Sequence, residues 1–264
     1  MAIPIKKQNK LQSLLQFWPM HTLATSKWLL KQGLSYSNLV GYQKSGWICH
    51  VGTGTFKRIN DQVSWEGAIF GLQNQYPGLF SIGGRTALEL QGAGHFIPMN
   101  QSTVFLFSSK KKKIPLWFAT YMKDLMIRCT YLQYRFLPPH IALTYHTYGD
   151  FQINISTRER AALEMVELLG RFHTFEECRL LFENLGTLRP HVVQELLEKC
   201  SSIKAKRIFL FLSKNVGHTW FKNLNLSTIE LGSGPRNLFP GGIYDSEFQL
   251  TYPKGLFDNE RLEV

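Results

Sequence analysis

At 264 residues, with 44% hydrophobic and 13% aromatic content, the chain is long enough for two domains with real cores, and disorder is not expected apart from the termini. Its net charge of +11 is unevenly spread: residues 1–80 hold 8 Lys+Arg against 2 Asp+Glu, a net +6, and the rest hold 22 against 17, a net +5. A basic N-terminal part of this kind suits a polyanion, with nucleic acid ahead of a membrane surface because no basic amphipathic helix stands out.

Residues 6–17 read as a leading helix, with Leu11, Leu14, Leu15 and Trp18 roughly on one face. Residues 22–59 then read as a winged helix-turn-helix. LATSKWLLKQG places Leu23, Ala24, Trp28 and Leu29 on one helical face and stops at Gly33. LSYSNLVGYQKSGW opens at Ser35, a suitable N-cap, and stops at Gly46. Two β-prone runs, 47–51 and 55–59, are joined by Gly52-Thr53-Gly54 as a hairpin. Two short helices followed by a basic hairpin suffice to put one helix into the major groove and rest the wing on the adjacent backbone.

With Leu39 facing inward, a rotation of 100° per residue points Ser37, Gly41 and Lys44 outward, with Asn38 and Ser45 flanking them. Tyr36, Tyr42 and Gln43 fall on or near the inner side, although the Tyr36 hydroxyl, close to the helix start, could reach a phosphate. The expected DNA contacts on the helix are therefore Tyr36, Ser37, Asn38, Gly41 and Lys44. On the wing they are Thr53, Lys57 and Arg58, with His50 a weaker candidate. Core packing is the alternative for the tyrosines, and winged helices also serve as protein-binding modules.

Further on, Ser64 can cap a helix over WEGAIFGLQNQY, and Gly83-Gly84 begins another, RTALELQG. The boundary between the winged helix and the rest is expected where glycines concentrate, near residues 80–95. From Thr103 the texture is β: TVFLF, PLWFA, IRCTYLQYRF, HIALTYHTY and FQINIS, separated mostly by turn residues. Ser156 and Glu159 form a capping box leading into RAALEMVELLG, and helical patterns follow in FEECRLLFENL, HVVQELLEKC (behind Pro190) and IKAKRIFLFLSKN. A β-like FQLTYP precedes an acidic end. The expected fold is α+β: an N-terminal winged helix-turn-helix over 1–90, then a C-terminal domain over 91–264 with a mainly antiparallel sheet and a helical, bundle-like portion.

Other signals are weighed against plain structural roles. Lys110 to Lys113 form a charge run whose default is a solvated loop, with Lys111 and Lys112 as secondary phosphate contacts. Lys204, Lys206 and Arg207 load the first turn of a helix, where cations oppose the macrodipole, so an anionic neighbour is expected. Acidic groups of this chain come first as that neighbour, then DNA or a protein partner. ELGSGPRN is glycine-rich but lacks the context of a nucleotide-binding loop, so a turn is expected. Cys49, Cys129, Cys178 and Cys200 have no CxxC spacing and read as reduced thiols. His140 and His146 lie on one face of a strand but far apart. No HExxH, GxSxG or paired-carboxylate arrangement is present, and Ser156 is better read as a cap than a nucleophile. The apolar stretch after Lys6, Lys7 and Lys10 is interrupted by Gln and Ser, so no signal peptide is expected. The longest apolar run, 208–212, is too short to span a bilayer, and a cytoplasmic protein follows.

Several strings together carry a family resemblance: SGWICHVGTGTFKR (45–58), GGRTALELQGAGHF (83–96), ISTRERAALEMVELL (155–169), LRPHVVQELLEKCSSIKAKRIFLFL (188–212) and LGSGPRNLFPGG (231–242). In this order the chain resembles the AbiEi-type antitoxins of bacterial AbiE toxin-antitoxin systems, first associated with abortive phage infection. The resemblance implies a winged helix that binds repeats in the operon's own promoter, as double-stranded DNA, and represses transcription. It also implies a C-terminal domain that counteracts an AbiEii-like toxin of nucleotidyltransferase fold, with no cofactor and no metal. Where many relatives offer Arg or Lys near the start of the recognition helix, this chain has Tyr36-Ser37-Asn38, so an operator preference does not carry over. The alternative is a winged-helix transcription factor with a ligand- or protein-sensing C-terminal domain and no toxin partner. A nucleic-acid-modifying enzyme is the third reading, and no clustered catalytic set in the sequence favours it.

Overall fold

The computed structural model describes residues 10–76, 78–94, 103–109, 113–133 and 135–257. The chain divides into two compact units: residues 1–80 with 111–129 and 145–153, and residues 81–110 with 130–144 and 154–264.

The first unit opens with α1 (Lys10–Phe17), whose Leu14 is fully buried. Just beyond it Trp18 is also fully buried, with its indole Nε1 donating to the Thr22 carbonyl at 3.2 Å. Next come β1 (Ala24–Thr25), α2 (Ser26–Lys31) and α3 (Tyr36–Lys44). The sequence pattern places Leu23 and Ala24 inside the first helix, but the helix starts later. Thr25 is its N-cap, extended at φ −85° and ψ 149°, with its hydroxyl accepting from the Trp28 amide at 3.2 Å. The residues before the cap form a strand instead, pairing Ala24 with Phe56 and Thr25 with Thr55. A cap hydrogen bond and two ladder positions outweigh an apolar spacing that fits either structure.

The hairpin forms as β2 (Ile48–Gly52) and β3 (Thr55–Arg58), antiparallel, with a bulge between His50 and Gly52. β3 lies between β1 and β2 in a three-stranded sheet. Leu14, Trp18, Ala24, Leu29, Leu34, Leu39, Ile48 and Phe56 form one core cluster, so α1, α2, α3 and the hairpin share a single apolar centre. Burying a leucine such as Leu29 or Leu39 contributes roughly 2 kcal/mol.

α4 (Trp65–Gln75) follows Ser64, which holds the N-cap position without a side-chain cap bond. It crosses the segment before β1 so closely that a Cβ at Gly67 would stand 2.0 Å from the His21 carbonyl oxygen. Only glycine fits at that crossing. The chain continues through β4 (Phe80–Ile82), α5 (Gly84–Leu90) and β5 (Thr103–Ser108) to α6 (Leu116–Asp124). α6 overturns the β reading of PLWFA. Pro115 occupies the N-cap, and Trp117, Phe118 and Met122 are buried together, a placement that a helix provides and alternation does not. Within the first unit, the Tyr121 hydroxyl on α6 donates to the Val63 carbonyl at 2.8 Å.

β6 (Arg128–Gln133), β7 (Leu143–Tyr148) and β8 (Phe151–Ser156) complete a sheet of order β6-β5-β4-β8-β7. β7 and β8 are joined by Gly149-Asp150, a connection only antiparallel neighbours can use. The sheet is nonetheless mixed, because β4 runs parallel to β8, with Ile82 opposite Ile155. β4 is the short buried strand FSI, which has no room to display a period.

In the second unit α7 (Arg158–Glu167), α8 (Phe175–Glu183), α9 (Pro190–Lys199) and α10 (Ile203–Val216) supply the expected helical portion. A small antiparallel pair follows, β9 (Ile243–Asp245) and β10 (Leu250–Tyr252). Pro190 stands in the first turn of α9, as its fixed φ favours. The Ser156–Glu159 capping box does not form. β8 extends through Ser156, so Thr157 takes the N-cap, and Glu159 instead pairs with Arg189 at 2.9 Å. The capping box lies elsewhere, at Thr174 and Glu177 before α8.

Ser156 belongs to a buried polar network. Glu164, fully buried, accepts from Ser156 Oγ at 3.0 Å, Arg160 Nε at 2.8 Å and the Gly84 amide at 2.9 Å. Arg160 Nη1 donates to the carbonyls of Pro138 and Ile141 at 2.6 and 2.8 Å. Burial pushes the Glu164 carboxyl up, against the pull of Arg160 and these donors. A Cβ at Gly83 would stand 2.1 Å from Glu164 Oε2 and 2.6 Å from the Phe107 ring, and Gly84, the first residue of α5, has φ +52°, so each position favours glycine for its own reason.

Candidate nucleic-acid interface

No acidic residue precedes Asp61 in the chain. Asp61 itself is buried, its Oδ2 accepting from the His21 amide at 2.8 Å. α2, α3 and the wing therefore display positive charge without a carboxylate of their own. Lys27 and Lys31 on α2, one helical turn apart and both exposed, add to that field, although the sequence reading did not select them.

α3 is held by a capping box. Ser35 Oγ accepts from the Asn38 amide at 3.2 Å, and Asn38 Oδ1 accepts from the Ser35 amide at 3.0 Å and the Ser35 hydroxyl at 2.8 Å. Ser37 Oγ is 2.7 Å from Ser35 Oγ. The polar groups of the first turn thus serve the helix start, and the Asn38 amide NH2 and the remaining capacity of the exposed Ser37 hydroxyl are left for a base or phosphate. Gly41 is exposed, and outside its own helix backbone and chain neighbours no described atom lies within 4 Å of where its Cβ would stand. Lys44 is exposed in the last turn, where a cation also complements the helix dipole.

The tyrosines divide. Tyr42 packs against the core cluster, as the wheel expects, but Tyr36 is 67% exposed. It is the first helical residue, and helical side chains lean toward the N-terminus, so Tyr36 leans beyond the helix end with no preceding turn to cover it. Val40, which the sequence reading passed over, is 51% exposed. Its apolar character argued for burial, and only the position of Leu39 and Leu34 in the core shows that it faces away.

On the wing, Thr53 is exposed at the tip. The Gly54 carbonyl accepts from the Ser26 amide at 2.8 Å, tying the tip to the start of α2. Lys57 Nζ donates to the Asp61 carbonyl at 2.8 Å. His50 is exposed and packs edge-on against Phe56. Arg58 is directed differently from the sequence expectation of a phosphate contact. Its Nη2 donates to the Leu15 carbonyl at 2.6 Å and its guanidinium carbon lies 6.0 Å from the Trp18 ring centre, so the charge is turned onto the end of α1. Burial draws its pKa down, partly opposed by Asp61. β alternation explains the direction: Ile48 opposite it is buried, and Arg58 shares that face.

The other candidate cations are also accounted for. Lys111 and Lys112 lie outside the described residues. Lys204 Nζ donates to the carbonyls of Glu167 and Leu169 at 2.9 and 2.8 Å, at the carbonyl end of α7. The negative end of one helix dipole thus relieves the cation at the start of another. Lys206 is buried. Arg207 is buried with five bonds to the tail, among them Nε to the Leu231 carbonyl at 2.8 Å and Nη1 to the Gly234 carbonyl at 2.7 Å. Burial and these bonds favour structural roles for Lys204, Lys206 and Arg207 over partner contacts, and the Leu231, Gly232 and Gly234 carbonyls of ELGSGPRN serve Arg207.

The second unit also holds an open cavity of about 560 Å³ between the α7–α8 connection and the tail, with Phe172, Phe175, Leu238 and Leu256 among its walls. Exposed Arg171 and Lys254 stand in its lining, and so does buried His173. Neither ring nitrogen of His173 has a hydrogen-bond partner among the described residues. Burial pushes this imidazole down to about 4, with Glu177 raising it and Arg85 lowering it further. The ring is neutral at pH 7.

A three-helix core closed by a β1-β3-β2 sheet, with an exposed helix beside a two-stranded wing, makes the first unit a winged helix-turn-helix. Residues 7–99 match the family described as "Transcriptional regulator, AbiEi antitoxin N-terminal domain", and residues 101–253 match "Transcriptional regulator, AbiEi antitoxin, Type IV TA system". The chain belongs to this family of antitoxin transcriptional regulators. Among solved structures it is similar to the RV2827C protein from Mycobacterium tuberculosis, at 14% identity, over 92% of this chain and 89% of that one, with a TM-score of 0.59. At that identity the likeness concerns the fold. No curated protein matches. Among the described residues no helix is long and apolar enough to cross a membrane.

Proposed function

We propose that this chain is an autoregulating antitoxin whose winged helix represses its own operon and whose C-terminal part counteracts a nucleotidyltransferase-like toxin. The observation that carries the DNA-binding half is the exposed face of α3 beside a wing and α2 lysines, in a stretch without a carboxylate before Asp61. α3 enters the major groove, Ser37 and the Asn38 amide approach from the first turn, Lys44 meets a phosphate, and Thr53 at the wing tip meets the neighbouring backbone. Lys57 holds the Asp61 carbonyl with one of its three N–H donors and offers the others to a phosphate. The functional division falls near residue 90, with 1–90 reading DNA and 91–264 acting on the toxin. Residues 111–129 and 145–153 return to the first compact unit, so the full chain is the proper reagent.

The test is a mobility shift on the DNA upstream of the chain's own gene across a salt series. Lys44→Ala is expected to weaken binding and reduce the slope of log K against log salt by about 0.9, the value for one phosphate. In parallel, co-expression with the neighbouring toxin is expected to restore growth, and pull-down reports whether the two form a complex. A full-length protein that shifts no upstream DNA and restores no growth overturns the proposal.

The cavity at His173 favours a second reading, a regulator whose C-terminal part senses a small ligand and which has no toxin partner. The downstream gene discriminates: a nucleotidyltransferase-like neighbour supports the antitoxin.

A further inference from the structure

The outward side of α3 carries two exposed apolar side chains, Tyr36 and Val40, between the polar Ser37 and Asn38 at its start and the exposed Gln43 and Lys44 in its last turn. Positions 36, 40 and 44 form one ridge at i, i+4, i+8 spacing. Its first two members, Tyr36 and Val40, are 67% and 51% exposed. The adjacent row offers little hydrogen bonding, because Ser37 and the Asn38 carbonyl oxygen are engaged at the N-cap and Gly41 has no side chain. Valine is a poor helix former, and about half of Val40 stays exposed on this face. In the major groove the thymine C5-methyl is the apolar feature that such a side chain can meet. Valine is short, so it reaches a base edge only if the helix axis comes close. The bare surface at Gly41, next along the helix, permits that approach.

We propose that α3 reads thymine methyl groups, with Val40 as the specificity-determining residue and Tyr36 extending the same apolar ridge. This rests on the DNA-binding reading above and adds the feature of the DNA that is recognised. The positive field of the acid-free N-terminal part brings the helix to the duplex and is indifferent to sequence, whereas the Val40 contact distinguishes one base from another.

The experiment uses the full chain and a duplex from upstream of its own gene. Each thymidine in the protected region is replaced singly by deoxyuridine, which removes only the methyl group. Replacement at the contacted thymines is expected to weaken binding about threefold to tenfold, on the scale of one buried methyl, and replacement elsewhere to leave it unchanged. Val40→Ala, which improves helix propensity and so spares the fold, is expected to abolish the difference between thymidine and deoxyuridine while leaving the salt slope intact. Lys44→Ala is expected to do the reverse. Equal affinity for thymidine and deoxyuridine duplexes at every position, or a thymidine preference that survives Val40→Ala, overturns the inference with DNA binding still standing. A protein that binds none of the upstream DNA removes the underlying reading, and the inference with it.

Discussion

Arg58 separates what the sequence suggests from what the structure requires. As a wing cation it looks like a phosphate contact, yet its guanidinium donates to the Leu15 carbonyl at 2.6 Å and faces the Trp18 ring at 6.0 Å. A charge-assisted hydrogen bond contributes roughly 1.5–3 kcal/mol, and an aromatic contact of this kind about 0.5–1 kcal/mol. Against that stands desolvation, since burial lowers the Arg58 pKa and its Nε is buried without a partner among the described residues. The net expectation for Arg58→Ala is a loss of about 1–3 kcal/mol, concentrated where α1 meets the hairpin. Because the chain has two units, a single melting temperature is a blunt readout. Hydrogen exchange of the α1 amides is the sharper assay, with protection expected to fall by roughly tenfold to a hundredfold. At a temperature where the variant is folded, its salt slope for DNA is expected to equal that of the unsubstituted protein. Unchanged α1 protection together with a slope reduced as in Lys44→Ala would refute the reasoning and return Arg58 to the DNA face.

Three further outcomes are expected. Arg160→Met leaves the buried Glu164 carboxyl and the Pro138 and Ile141 carbonyls without their cation, at a cost of about 3–5 kcal/mol in chemical denaturation; a loss under about 1 kcal/mol would contradict the network described. The Glu159 carboxyl, which burial alone would raise, is held down to about 2 by hydrogen bonds led by the Arg189 side chain. Its folded pKa lies below the ordinary value, so its contribution is present above about pH 4.5 and lost as pH falls toward 2. With Arg189 half-exposed, Arg189→Gln is expected to cost roughly 1–2 kcal/mol at pH 7, and the difference from the unsubstituted protein should close by pH 2 to 3 in urea titrations. His173 has the opposite chemistry: a base whose folded pKa is about 4 favours folding while neutral, and stability falls as pH drops from about 6.5 to 4. That loss has a ceiling of about 3 kcal/mol. His173→Phe is expected to flatten this interval and raise stability at pH 7, because a phenyl ring needs no hydrogen-bond partner; an unchanged pH profile would show that another group titrates there.

Local signals were legible wherever chemistry and spacing coincide within a few residues. Ser35 before α3, Pro190 in the first turn of α9 and the Gly52-Thr53-Gly54 hairpin all lie where their conformational preferences put them. Errors arose where two local readings competed. Thr25 and Ser26 could have continued a helix upstream, but strand pairing to Thr55 and Phe56 claimed Ala24 and Thr25. PLWFA has β-prone residues, yet burial of Trp117, Phe118 and Met122 on one side made it a helix. Ser156 has a cap's spacing from Glu159, but each is committed to a partner from another part of the chain, Glu164 and Arg189.

The sequence by itself determined most of the elements, the basic N-terminal field and the family, because these depend on side-chain chemistry and periodicity along the chain. It also determined which helix carries the candidate interface. The direction of individual charges and apolar groups was decided only by tertiary structure. Lysine and arginine stems are long enough to serve solvent or an interior carbonyl, and a valine reads as core until its neighbours are seen to fill that core. Arg58 and Arg207 were thus turned to carbonyls inside their own units, and Val40 was turned out. Hydrogen-bond partners and packing neighbours far away in sequence set those directions, and no spacing within a helix or strand encodes them.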